Sequence, residues 1–488
     1  MFKFPGFVGP SYTSQSVRAA DQQCMNWYVE QIEVPSEPFP SALYPTPGCS
    51  SLDTATEDPV RGITEENGRC FAAVGQTFYE ISTDFEFHEP GDKTEPVGLT
   101  IARDNNPATF AGVDLTGSQL FFTSGDKGYI YALGGTTIST VISSGATQGA
   151  FLDGFFLALD SATSTLKVSG LNDGTTWEGS QVAQRTAGSD PWQAMVVVHR
   201  DIWLFGKQTS EVWYNAGTSP FPFAAIPGAF LEQGITAPFS AKAIGNTVMW
   251  LGSSDDGNGV VWMANGYNPQ RVSTHAVEYA IQQYVRDGSD ITDAVAFTYQ
   301  EDGHTFYVLN FPDAKATWVY DLSTQLWHER GTWDSTNVRF TAWRPQYHAY
   351  FNGKHVVGDR ETGTIYDMSI NHYTDVGGQI MRRVRRTPHL SVNNDYVIYN
   401  TFQVAMETGL GLTSGQGSDP TAMLRWSDDG GETWGDEHWV SAGKRGTYGT
   451  RAIWRRLGRG YDRVYELAVS DPIPWRLTGA YIDARRQQ

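Results

Sequence analysis

The sequence predicts an all-β protein: a β-propeller of six or seven blades with an extended N-terminal arm and a C-terminal β-sandwich or barrel-like domain. Three observations carry this. A unit of about 40–50 residues, the length of a propeller blade, recurs roughly seven times between Cys70 and Ser369. The 488 residues include 51 glycines and 13% aromatics, the mixture of turn formers and strand formers that all-β chains use. Beyond residue 371 the repeat stops, and further strand-like stretches follow in an arginine-bearing composition.

In chain order, residues 1–60 are rich in Pro, Gly and Ser, as in PSEPFPSALYPTPG from Pro35, and read as an extended arm lying on a neighbouring subunit. The segment holds Phe4, Phe7, Trp27, Tyr28, Phe39 and Tyr44, which a free tail would expose to water. Residues 61–370 form the propeller. Its copies are AAVGQTFYEI from Ala72, QLFFTSGDKGYIYAL from Gln119, AFLDGFFLALD from Ala150, AMVVVHRDIWLFG from Ala194, AKAIGNTVMWLG from Ala241, AVAFTYQEDGHTFYVLNF from Ala294 and AYFNGKHVVGDRETGTIYDM from Ala349. In TWVYDLSTQLWHER, Val319 and Asp321 point one way and Trp318, Tyr320 and Leu322 the other, with a turn at Ser323–Gln325. EVWYNAGTSPFPF, from Glu211, reads as a strand followed by a proline-rich excursion. One helix is expected in STHAVEYAIQQYV, where Ala276, Val277, Ala280, Ile281, Tyr284 and Val285 follow helical spacing and Ser273 or Thr274 caps the first turn. Packing on its own propeller is the simpler fate for this helix; a neighbouring subunit is the alternative. Residues 371–488 hold strands around TFQVAMETGLGL, AMLRWSDDGGETW, AIWRRLG, RVYELAVSD and RLTGAYIDA, a β domain of its own.

Composition narrows the function classes. With 40% hydrophobic and 18% charged residues the chain has ample core material. The net charge is −19, unevenly placed: residues 371–488 carry 15 Lys and Arg against 13 Asp and Glu, so the first 370 carry 20 against 41. That balance does not suit a protein that wraps DNA, although solubility alone explains an acidic surface equally well. Three cysteines, Cys24, Cys49 and Cys70, are too few and too odd in number for a disulfide scaffold and point to assembly in a reducing cytoplasm. The start MFKFPGFVGP has no signal-peptide pattern, and no apolar run approaches the ~20 residues that span a bilayer.

Each motif has a structural reading beside the functional one. SDDGGETW matches the Asp-box pattern at Ser427, Asp429, Gly431, Thr433 and Trp434, a hairpin staple in which the carboxylate binds backbone N–H groups and the indole packs beneath. Sialidase propellers carry the same box away from their chemistry, so it argues for a fold. A glycosidase needs two carboxylates some ~5–10 Å apart, and a sialidase an arginine cluster from several blades; Arg103, Arg185, Arg200, Arg271, Arg330 and Arg339 show no such arrangement. The ten histidines lack metal-ligand spacing, and no nucleophile elbow or phosphate loop occurs. GDRETG, from Gly358, has carboxylate spacing compatible with calcium but reads better as a polar hairpin tip. Arg382, Arg383, Arg385 and Arg386 open the last domain, and Arg455, Arg456, Arg459 and Arg463 recur late in it. The first run touches nucleic acid or, the preferred reading, pairs with acidic residues of a neighbouring subunit. The expectation is no enzyme: no catalytic residue, no cofactor and no metal.

Several stretches together resemble one family, the tail accessory proteins of short-tailed (podovirus) bacteriophages, also called packaged-DNA-stabilisation, tail nozzle or hub proteins. They are DQQCMNWYVE from Asp21, YPTPG from Tyr44, SGLNDGTTW from Ser169, HRDIWLFGKQTSEVWYNAG from His199, FPFAAIPGAFLEQG from Phe221 and GHTFYVLNFPDAKATWVYDLSTQLWHER from Gly303, with RWSDDGGETW and SDPIPWRLTGAYIDA near the end. The resemblance implies a virion protein of the tail: a homo-hexamer below the portal and head-to-tail adaptor that continues the DNA channel and retains packaged DNA. Tailspikes or tail fibres and a needle plug are implied to dock against it, genomic DNA passes without sequence recognition, and no membrane is involved. The alternative is a tail-borne glycan-binding or glycan-cleaving propeller, marked by a ring of exposed Trp and Tyr with paired carboxylates at one end of the axis.

Overall fold

The repeat folds as antiparallel meanders because its tight turns carry residues that accept left-handed backbone. In Asn67-Gly68, Asp153-Gly154, Asp302-Gly303 and Asn352-Gly353 both residues sit at positive φ, between 45° and 88°. That is the backbone of the primed two-residue hairpin, whose twist matches that of the flanking strands. The computed structural model describes residues 1–34, 39–92, 98–185, 188–254, 257–391 and 395–486; Pro35 to Pro38 of the proline-rich stretch lie outside them. Among the described residues, seven antiparallel sheets surround one axis, with inner strands Val60–Glu66, Thr109–Val113, Gln148–Leu152, Trp192–Val198, Lys242–Ile244, Val295–Glu301 and Pro345–Phe351. Each inner strand packs beside the next, and the seventh returns to the first, so the ring is closed.

Seven hydrophobic clusters fill the seven blade interfaces. Strand alternation divides the side chains between them. In Ala316–Asp321, Trp318 and Tyr320 enter the cluster shared with blade five, while Val319 enters the one shared with blade seven. Both faces of a blade are therefore apolar, and Asp321 survives inside because it caps its own turn: the Ser323 N–H and Thr324 hydroxyl donate to it at 2.9 and 2.8 Å. The helix His275–Arg286 forms where expected. Thr274 caps it by accepting from the Val277 N–H, and Val277 and Ile281 join the interface of blades five and six, so the helix serves its own propeller.

The first 60 residues, expected as an arm on a neighbouring subunit, are instead used within the chain. Gly48–Thr54 is the outer strand of blade seven, antiparallel to Thr364–Ser369 with Cys49 opposite Met368 and Thr54 opposite Thr364. Asp21–Met25, Trp27–Gln31 and Ser41–Pro45 are strands of the C-terminal sandwich. One sandwich sheet runs Trp27–Gln31, Ser41–Pro45, Leu477–Arg486, Val397–Met406, Ala452–Arg455; the other runs Asp21–Met25, Arg383–Arg386, Asp462–Val469, Thr421–Ser427, His438–Ser441. The aromatics of residues 1–60 explain the difference. Phe4, Phe7, Trp27 and Leu43 complete a core with Phe402, Trp454 and Trp475, and Tyr28 joins the interface of blades six and seven.

The two domains are knitted at Asn26. It has φ +59° and lies where the chain leaves one sandwich sheet for the other. Its amide donates to the Gly331 and Arg382 carbonyls at 2.9 and 2.8 Å and its side-chain oxygen accepts from the Gly331 N–H at 3.0 Å. Beside it Met25 pairs with Glu329 in parallel, so blade six and one sandwich sheet are continuous. Farther out, His304 stands between Asp321 and Glu30 at 2.7 and 2.8 Å, and its hydrogen bond to the Asp321 carboxylate, opposed by burial and aided by Glu30, raises its pKa to about 9.

Two outcomes test this architecture. Removing residues 1–45 takes six buried side chains out of the sandwich core, Cys24 and the larger Phe4, Phe7, Trp27, Val29 and Leu43, the last five each worth about 1.5–3 kcal/mol. The expected result in limited proteolysis is rapid cleavage within 371–488 and survival of the 48–369 fragment; continued protection of 371–488 contradicts it. Met368→Ala, at the closing strand, is expected to cost about 2–5 kcal/mol in denaturant unfolding. A pH series tests the His304 bridge. Its raised pKa stabilises the fold fully below about pH 6.5 and the contribution disappears as pH rises through about 9. The stability gap between wild type and His304→Asn should therefore narrow across that window; a constant gap contradicts a charged His304.

Candidate functional surfaces

One face of the propeller opens into a funnel of about 1140 Å³ on the ring axis. Its rim includes the connections that enter the inner strands of blades one, two, four, five, six and seven, and its charged side chains include Arg61, Arg103, Asp104, Lys207, Asp293 and Arg360. Most are already engaged. Arg61 donates to the Gly75 carbonyl, Ser124 hydroxyl and Asp104 at 2.9, 2.8 and 3.1 Å, and Arg103 pairs with Asp58 at 2.6 Å. Asp290 accepts from the N–H and hydroxyl of its own Thr292. Burial, with Asp290 and Asp313 nearby, pushes the Asp293 carboxyl up to about 6.

The funnel narrows at Phe239. Phe239 lines it and also lines two smaller cavities of about 210 and 170 Å³ deeper in the ring. The Phe239 backbone bridges to Val295, which holds the ring in place. Lys242 faces both inner cavities, its amine shifted down by burial. A space of that size holds a small molecule or a loop; a double helix, whose major groove alone is about 12 Å wide, does not pass. The aromatic lining of the funnel is Phe239 and Tyr347, not the ring of Trp and Tyr that glycan binding asks for; of its acids, Asp293 accepts from the Asp313 N–H at 2.9 Å through one oxygen, and its other oxygen has no hydrogen-bond partner.

The weighed motifs are placed as follows. Arg103, Arg185 and Arg200 pair with Asp58, Asp190 and Asp153 on separate blades, and Arg271 pairs with Glu278 of the helix. Arg330 is sealed against Tyr299, Phe306 and Trp343, and Arg339 lies on the hairpin strand Arg339–Thr341. They do not converge. Asp359 of GDRETG is buried and accepts from Arg344, the Glu361 N–H and the Tyr366 hydroxyl, so a guanidinium occupies the place of a cation. Among the described residues no group of three His, Cys, Asp or Glu is placed to hold a metal ion. The three cysteines are buried thiols.

The Asp-box is the hairpin staple its sequence indicates. Asp429 accepts from the Ser427 hydroxyl, the Thr433 N–H and the Thr433 hydroxyl at 2.6, 2.9 and 2.6 Å, which holds its carboxyl down at about 2. Gly431 at φ +100° donates its N–H to Ser427, and the Trp434 indole donates to the Gly431 carbonyl. A second staple of the same design escaped notice in SGLNDGTTW, one residue shorter: Asp173 accepts from Thr175 and Thr176, and the Trp177 indole donates to the Gly174 carbonyl at 2.8 Å. The Asp-Gly-Thr-Thr-Trp order was the available signal.

The arginine run, expected to pair with acidic residues of a neighbouring subunit, finds its partners within the chain. Arg385 is buried and donates to the carbonyls of Phe7, Pro10, Gln23 and Gly6 at 2.6–3.1 Å, clamping the first strands to the sandwich. Burial lowers its pKa, and that of buried Arg383, to about 10. Arg386 bridges Asp21 and Glu466 at 2.7 and 2.9 Å and covers the Trp434 ring, and Arg382 pairs with Glu437 over Trp333. Charge is segregated between the domains. Residues 48–370 carry 18 Lys and Arg against 37 Asp and Glu, whereas the rest of the chain carries 17 against 17. The whole net charge of −19 belongs to the propeller.

No curated protein matches the chain. Solved structures of similar shape include the N-terminal domain of Nup159 (12% identity, 72% of this chain and 99% of that one, TM-score 0.38), the extracellular domain of BT4673 from B. thetaiotaomicron (9%, 81% and 47%, 0.42) and an exo-β-1,3-galactanase from Phanerochaete chrysosporium (10%, 79% and 97%, 0.29). Two family models match with the same division the structure shows: the β-propeller of bacteriophage P22 Gp10 over residues 24–373 and its β-sandwich over residues 382–485. The chain belongs to the bacteriophage P22 Gp10 family and is a structural protein of the phage tail that stabilises packaged DNA.

Proposed function

We propose that six copies form a ring below the portal and adaptor, and that DNA runs between the copies, along the axis of the ring and outside every propeller. The observation that carries this reading is the propeller axis, too narrow past Phe239 for a double helix. A protein that stabilises packaged DNA and whose own axis narrows at Phe239 to cavities of about 210 and 170 Å³ provides a path by assembling around it. The charge supports the same arrangement. A propeller of −19 turned toward the lumen lets a polyanion slide past without sticking, provided its carboxylates lie within the ~8–10 Å over which salt leaves their field intact. No step of bond chemistry is involved. The chain extends and narrows a conduit, contacts DNA without reading its sequence, and offers separate faces to tailspikes or fibres and to a needle plug. Three buried, unpaired thiols suit assembly in the host cytoplasm.

The test is retention. Particles assembled without this chain are expected to expose their genome to added nuclease within minutes, and purified protein added before the nuclease is expected to restore protection. Equal retention with and without the chain contradicts the reading.

A further inference from the structure

We propose that the arginine-lined edge of the sandwich is the surface by which one copy grips the acidic propeller of the next. This rests on the ring reading above and names the contact that would build it.

The two outer faces of the sandwich are treated differently. One is covered by the chain itself: Phe340, from the hairpin Thr332–Asp334 and Arg339–Thr341, packs on Met25, Val384, Met423 and Ala468. The other sheet ends at the edge strand Ala452–Arg455. Ala452 and Trp454 point into the core, so Arg451, Ile453 and Arg455 share the outward face, beside Gln403 and Thr401 of the adjoining strand. Arg456 follows and Arg445 stands on the loop before the strand. Among the described residues, Arg445, Arg451, Arg455 and Arg456 are exposed and their side chains make no hydrogen bond or ion pair. Tyr448 and Trp439, 74% and 63% exposed, stand on the loop and on the facing edge strand. Exposed arginine with tyrosine and tryptophan is the composition that dominates protein contacts.

The sandwich is neutral in sum, yet its other cations are largely spent. Arg386 and Arg425 are held by Glu466, Arg463 by Asp428, Arg476 by Glu407 and Arg486 by Asp395. What remains is a cationic edge. The propeller is its complement: Glu57, Asp84, Glu86, Asp126, Glu178 and Glu232 are exposed carboxylates without an ion pair among the described residues. A cationic edge on one domain and exposed carboxylates spread over the blades of the other give a head-to-tail contact, which is the kind that closes into a ring. Side-by-side contact of two propellers would instead set −19 against −19. A second copy is favoured over DNA because four arginines facing the lumen would hold the polyanion that the rest of the surface repels.

The native thiols are buried, so Arg455→Cys can be labelled selectively with a photo-crosslinker and assembled into particles from a mixture of isotope-labelled and unlabelled copies. The expected product joins residue 455 of one copy to residues 48–370 of another. In parallel, R451E/R455E is expected to enter particles at least tenfold less than wild type, with an unchanged melting temperature because both side chains are exposed. Cross-links from residue 455 only to DNA, to another tail protein or to a second sandwich overturn the proposal, as does normal entry of the double variant. If that variant melts early, the single-site cross-link decides alone. Particles in which copies contact one another by some other surface refute this edge and leave the ring standing; particles with isolated copies off the axis refute the ring itself.

Discussion

The structure depends on one constraint: the ring of blades is completed by a strand that comes from the far end of the sequence. Blade seven supplies three strands of its own, and Gly48–Thr54 supplies the fourth, with register pairs from Gly48–Ser369 to Thr54–Thr364. Without that strand, Thr364–Ser369 is a bare edge and the interfaces of Cys49 and Met368 lie open. Because residue 48 must reach blade seven, everything before it has to be placed nearby. It is placed in the sandwich, which is why that domain is assembled from both termini.

The junction follows from the same requirement. Asn26 turns the chain between sandwich sheets in a left-handed conformation and satisfies the blade-six end and the arginine strand at once. Arg385, buried among main-chain carbonyls, anchors residues 6–23 without a carboxylate partner. A buried cation of this kind is costly unless every donor is matched, and here five acceptors surround it when Gln22 is included. The two domains thus share a continuous sheet, a strand switch and a buried guanidinium. A tail part that resists the pressure of packaged DNA benefits from such a single stiff unit, and in the ring proposed above the DNA path is the space between units.

Much of this was legible in the sequence, and the rest was hidden for identifiable reasons. The blades were legible because their period is local: a hairpin turn, a strand and an aromatic recur within reach of each other, and the Asp-box and the Thr274 cap are local in the same way. The role of residues 1–60 was not, since Cys49 meets a partner at Met368 and Trp27 donates to the Trp475 carbonyl. No spacing encodes pairs that far apart. The aromatic content of that segment was the true signal, and it was read as a docking arm when it marked a core. The arginine run misled for a different reason. Met-Arg-Arg-Val-Arg-Arg reads as a charged face, but Arg383 and Arg385 point inward to carbonyls and sulfur, acceptors that every sequence contains.

A sixfold-averaged electron cryo-microscopy map of the intact tail tests the central claim most directly. The account predicts six rigid two-domain bodies around the tail axis, with DNA density between them and none through any propeller. Density threading a propeller past Phe239, or copies placed as peripheral projections away from the axis, would contradict it.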